Sequence, residues 1–234
     1  WSPATTICGS WSVRAEPPSR PSPRRVRTCP AVSGATVGGV TSRESSNDVK
    51  TMLTWRGSDA DRLEQVRLNI SGARIRAYGR IISAATPEHE AFSVSYELVT
   101  TDSGVTRRLS VRLVKASGES QLDISRDMDG RWMVQTPTST VRSDFDGAET
   151  IDLALSPFFK GLPIRRFGIA DGGRRDDLSV VTLQLPDCAI DSVSMSYEDL
   201  GDGQVRVTGP DGVTDLTVDE AGIVRDYPGI ARLI

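Results

Sequence analysis

The chain has 234 residues, 38% of them hydrophobic and 25% charged, with a formal net charge of −3. It is long enough to bury a core and has no apolar run that would span a bilayer as a helix, which sets a membrane-spanning helical protein aside. Residues 1–50 carry seven basic and three acidic side chains, which leaves 21 basic and 28 acidic in the remainder, and an acidic body argues against nucleic acid as the partner.

The first fifty residues contain Pro3, Pro17, Pro18, Pro21, Pro23 and Pro30 and show neither helical nor strand periodicity. They are expected to form a disordered or non-native extension, with Met52, the first methionine, opening a β domain over residues 52–234. No apolar central region of signal-peptide length precedes Met52, and Cys188 is the lone cysteine after it. Both features point to a reducing, cytoplasmic setting without disulfides in the body.

From Met52 onward the dominant period is two. Ile75, Ala77, Gly79 and Ile81 alternate with Arg74, Arg76, Tyr78 and Arg80; Phe92, Val94, Tyr96 and Leu98 alternate with serines and Glu97. Similar runs follow around Val111, Ile124, Trp132, Ile151, Leu183, Met195, Val207 and Leu216, separated by Asp102-Ser103-Gly104, Asp129-Gly130, Asp146-Gly147, Asp202-Gly203 and Asp211-Gly212. Short alternating strands joined by such turns predict a mainly β protein, a single antiparallel curved sheet or open barrel. One short helix is expected from Ser156-Pro157 to about Gly161, with serine as its cap and proline at its first position. Leu162–Ile169 then reads as a strand, with Arg165 on the face of Phe167 and Ile169 and Arg166 on that of Ile164. One of the two arginines must therefore sit in apolar surroundings and needs a partner: a carboxylate such as Asp226 or Asp152, a carbonyl, or an anionic ligand.

At Asp152-Leu153, Pro157 and Leu162-Pro163-Ile164-Arg165-Arg166-Phe167, and again at Gly222-Ile223-Val224-Arg225-Asp226-Tyr227-Pro228 with Arg232, the chain resembles the bacterial "putative glycolipid-binding" protein family. Trp55 with Glu64, and Gly130 with Trp132, add weaker marks of the same pattern. The resemblance covers roughly Met52 to Ile234 and implies a lipid-carrier-like curved sheet. Two departures bear on ligand choice: Gly147-Ala148 stands where the family often has Gly-Cys, and Lys160-Gly161 where it often has Thr-Asn.

The resemblance, taken with these features, implies non-catalytic binding of a lipid or glycolipid-like amphiphile in an apolar cavity. Arg165 or Arg166 would meet the headgroup, with Trp132, Phe158, Phe159, Asp226 and Tyr227 completing the site and no cofactor or metal. His89 is the only histidine and lies in a polar Pro-Glu-His-Glu turn, which weakens nucleophile-histidine chemistry. The alternatives are a carboxylate-based hydrolase acting on a sugar-containing substrate and an interaction module that uses a sheet edge without a small ligand. The oligomeric state is left open by the sequence.

Overall fold

The computed structural model describes residues 49–234. The expectation for residues 1–50 lies outside the described residues, except that Val49 and Lys50 are the first two positions of a strand.

The described residues form fifteen strands in one open, curved sheet. They are β1 (Val49–Gly57), β2 (Arg62–Ser71), β3 (Arg74–Ser83), β4 (Phe92–Thr100), β5 (Thr106–Lys115), β6 (Gly118–Arg126), β7 (Trp132–Gln135), β8 (Thr140–Ser143), β9 (Thr150–Leu153), β10 (Arg174–Leu183), β11 (Ile190–Gly201), β12 (Gln204–Gly209), β13 (Gly212–Val218), β14 (Val224–Tyr227) and β15 (Ala231–Leu233). The order runs from β8 back to β1, then β15 down to β9, so two meanders join where the first and last strands pair antiparallel. That joint has three residue pairs, Trp55↔Leu233, Arg56↔Arg232 and Gly57↔Ala231.

Each long strand alternates as its sequence demands. In β3 the side chains of Ile75, Ala77 and Ile81 are buried, while Arg74, Arg76, Tyr78 and Arg80 face solvent. The turns fall at the Asp-Gly punctuation: Asp202 and Gly203, both at positive φ (51° and 72°), join β11 to β12. The only described parallel pairing is β9 with β10, and parallel neighbours need a crossover. That crossover is the helix α1 (Pro157–Arg166).

The helix corrects the sequence reading. Leu162–Arg166 is not a strand; it continues the helix that opens at Pro157. Helix α1 is buried on several sides, at Phe158, Phe159, Leu162, Pro163 and Ile164, and so presents no apolar stripe of period 3.6. It tolerates Pro163 because packing outweighs the one backbone hydrogen bond that proline forfeits.

The helix lies between two apolar clusters. Phe158, Phe159 and Leu162 join the larger one with side chains of β1 to β7, β9, β10 and β15, and Ile164 joins a second with Val180, Tyr197, Val205 and Val224. Away from the strand ladder, Trp132 Nε1 donates to the Ala148 carbonyl at 2.9 Å and the Thr106 amide to the Glu149 carbonyl at 2.9 Å. These bonds link the starts of β5 and β7 to the chain entering β9, where no strands pair.

Candidate functional site

Helix α1 carries or adjoins most of the candidate residues, and its two ends and two sides do different things. At its start, Ser156 occupies the cap position without capping through its side chain. Its hydroxyl instead donates to Glu64 Oε1 at 2.6 Å, and the Tyr96 hydroxyl donates to the same oxygen at 2.6 Å. Glu64 Oε2 is buried without a partner. Burial raises the Glu64 carboxyl from 4.5 to about 7, against the opposing pull of Ser156, Tyr96, Arg62 and the Phe158 backbone. Tyr96 reaches this position only because residue 79 is glycine: a Cβ there would lie 2.0 Å from the tyrosine ring. The ring stacks on Phe158 at 6.5 Å and meets Phe159 edge-on at 5.1 Å.

On the side of α1 that carries Phe158, Gly161, Leu162 and Arg165, the helix covers an apolar seam. Leu68, Ile70, Ile75, Ile223 and Val224 form its other walls, and the free volume is about 10 Å³. The helix approaches the Asp219–Gly222 turn backbone to backbone: a Cβ on Gly161 would lie 2.7 Å from the Gly222 carbonyl oxygen. Arg165 crosses the mouth of the seam. Its Nη1 donates to the Ala221 carbonyl and its Nη2 to the Gly72 carbonyl, both at 3.0 Å, tying the β13–β14 turn to the β2–β3 turn. Its Nε is buried and unpartnered. Outside it lies a shallow depression of about 220 Å³ formed by Gly72, Ala73, Gly168, Asp171, Glu220 and neighbours.

The carboxylate partners considered for Arg165 are therefore not used; it bonds two carbonyls. Arg166 takes the carboxylate, with Nη2 at 2.5 Å from Glu149, and lies over the Phe167 ring at 4.7 Å. Both arginines occupy the last turn of α1, where a cation opposes the negative end of the helix dipole.

Asp152 pairs with Lys160, Oδ2 to Nζ 2.6 Å, both side chains nearly out of solvent. Lys160 projects from the side of α1 opposite the seam, into a crevice of about 50 Å³ bounded by Met195, Val207, Gly209, Asp211, Leu216 and Tyr227. Desolvation pulls the Lys160 ammonium down, but Asp152, Tyr227 and Asp211 together raise it above its ordinary value. Burial pushes the Tyr227 phenol up.

Thus Arg165 and Phe158 meet at the seam, while Tyr227 faces the crevice across the helix. Trp132 and Phe159 are fully buried core side chains. Asp226, on β14, is half-buried and borders neither space. Sequence reasoning passed over Lys160 and the Glu64–Tyr96–Ser156 cluster as site residues. A signal for Glu64 was present: with Val66, Leu68 and Ile70 setting the inward phase of β2, Glu64 shares it.

None of the curated proteins matches this chain. Among solved structures, a protein of a domain-of-unknown-function family from Pseudomonas aeruginosa is similar over 75% of this chain and 93% of its own, with 26% identity and a TM-score of 0.61. A β-barrel-like protein of a domain of unknown function from Brucella abortus shares the fold at 12% identity and a TM-score of 0.50, over 79% of this chain and 95% of its own. The family model described as "Putative glycolipid-binding" matches residues 52–232. A match over that length, on a curved sheet of this kind, places the chain in that family: it belongs to the putative glycolipid-binding proteins.

Proposed function

We propose that this protein binds a lipid or glycolipid-like amphiphile without catalysing its conversion, and that Arg165 contacts the headgroup. The observation that carries the reading is Arg165 laid across the mouth of the apolar seam, its donors spent on two carbonyls and its Nε unpartnered. A seam of about 10 Å³ has room for no more than about one water, so a chain enters only if the seam widens. A phosphate or carboxylate headgroup offers the guanidinium a charge-assisted, bidentate acceptor, which two carbonyls do not. Taking that headgroup releases both turns and opens the apolar walls. Family membership supports a binding role. Glu64, among the described residues the one carboxyl raised into the neutral range, lies beneath the helix and borders neither the seam nor the crevice, which supports binding over acid–base catalysis.

The test is native mass spectrometry of the full chain, incubated with bacterial lipid extract in the absence of detergent. Retained amphiphile is expected on the wild type, less on Arg165→Lys and none on Arg165→Ala. A clean apo mass for the wild type, or equal retention by a folded Arg165→Ala, overturns the reading.

A further inference from the structure

The crevice on the other side of α1 has chemistry unlike the seam. Its floor is apolar, from Met195, Val207 and Leu216, and its rim holds an ammonium, a carboxylate and a phenol, from Lys160, Asp211 and Tyr227. Behind Lys160 stands Asp152, whose Oδ1 is buried without a partner while Oδ2 takes the ammonium. Two carboxylates face one ammonium, so the group carries a net charge of −1 and repels an anionic headgroup. A cation would meet the Lys160 ammonium in the crevice lining, so the fitting ligand is neutral and both donates and accepts. An ammonium with one of its three hydrogens committed to Asp152 still offers donors, and Asp211 and Tyr227 offer acceptors, which suits a vicinal diol whose C–H face rests on the apolar floor.

We propose that this crevice is a second binding site, for the edge of an uncharged sugar or polyol. Its volume of about 50 Å³ admits one ring edge or a hydroxymethyl group, and the rest of the molecule stays outside in solvent. The site needs neither Arg165 nor the seam, because Lys160 points away from both. Lys160 and Asp211 set the preference for neutral over charged ligands, and Tyr227 supplies the aromatic wall on which a sugar face packs.

Saturation-transfer and chemical-shift NMR on the full chain test the site with three probes: a panel of methyl glycosides, glycerol and inorganic phosphate. Methyl glycosides are expected to bind at millimolar strength and to shift the Tyr227 ring, and phosphate is not. Asp211→Ala, at an exposed turn tip, and Tyr227→Phe are each expected to weaken glycoside binding roughly tenfold. Asp211 is exposed and makes no described side-chain hydrogen bond or salt bridge, so Asp211→Ala is expected to fold and to separate lost binding from lost structure. Glycerol binding as well as the glycosides makes the site a general diol site. No shift with any glycoside, equal shifts in both variants, or a response to phosphate alone overturns the proposal. Because soluble glycosides have no chain to enter the seam, Arg165→Ala is expected to leave their binding unchanged, and failure here is distinguishable from failure of the amphiphile reading.

Discussion

Glu64 ties the stability of the fold to pH. Its carboxyl is fully buried, hydrogen-bonded on one oxygen and bare on the other. The charged and titratable groups that act on it are Tyr96 from β4 and Arg62 from its own strand, with the Ser156 hydroxyl and the Phe158 backbone at the start of α1. Because the folded value, about 7, lies above the ordinary 4.5, the neutral form favours the fold. The associated stability is fully present below pH 4.5 and is lost as pH rises through 7, a difference of roughly 3 kcal/mol. Denaturant unfolding at pH 5 and pH 8 should therefore show the wild type weaker at pH 8. Part of that is already gone at pH 5, so in Glu64→Gln the decline should be smaller by about 2.5 kcal/mol, and an equal decline in both proteins would remove Glu64 as its source. Residue-scale features of this kind were partly legible. The inward phase of Glu64 follows from Val66, Leu68 and Ile70, but its partners come from β4 and from the residue before α1, which no spacing rule brings together.

At the scale of the element, α1 shows where sequence reading stops. Its first turn was legible because Ser156-Pro157 is a local signal. Its second half was not, because a helix buried on several sides loses the amphipathic stripe, and Leu162-Pro163-Ile164-Arg165 satisfies a strand's alternation equally well. The strands faced no such ambiguity: one solvated face keeps period two visible, as in β3. Gly161 packs directly against the Asp219–Gly222 turn. Alanine there gains up to about 1 kcal/mol of helix propensity. It also places a methyl 2.7 Å from a backbone oxygen, and overpacking of that kind costs about 1–3 kcal/mol. The clash wins, since a carbonyl in a turn cannot rotate away as a long side chain does. Gly161→Ala is expected to lower the denaturation midpoint with an unchanged m-value, and a raised midpoint would show that the turn gives way.

For the whole molecule the question is what makes two meanders one folding unit. Two candidates are present. One is the ladder between β1 and β15, only three residue pairs, helped by Trp55 Nε1 donating to the Val224 carbonyl at 2.8 Å. At about 1 kcal/mol net per hydrogen bond, it contributes a few kcal/mol. The other is the core beneath the helix, in which Trp55, Leu68, Ile81 and Leu98 from one meander share a cluster with Ile151, Leu153, Val181 and Leu183 from the other, and Phe158, Phe159 and Leu162 lie among them. Each fully buried aliphatic or aromatic side chain there is worth about 1.5–3 kcal/mol, so a dozen of them outweigh the ladder several-fold. Shortening the chain by Arg232, Leu233 and Ile234 should therefore lower the melting temperature and yet leave one cooperative transition, with tryptophan fluorescence and far-UV circular dichroism coincident. Phe159→Ala, which empties the core under the helix, should cost about 3–5 kcal/mol, as much as or more than losing the three terminal residues. Should the truncated protein instead unfold in two steps, with tryptophan fluorescence changing ahead of the circular dichroism, the joint would be the ladder. The helix would then be a cover over the sheet, free to lift from the seam at much lower cost than its burial implies.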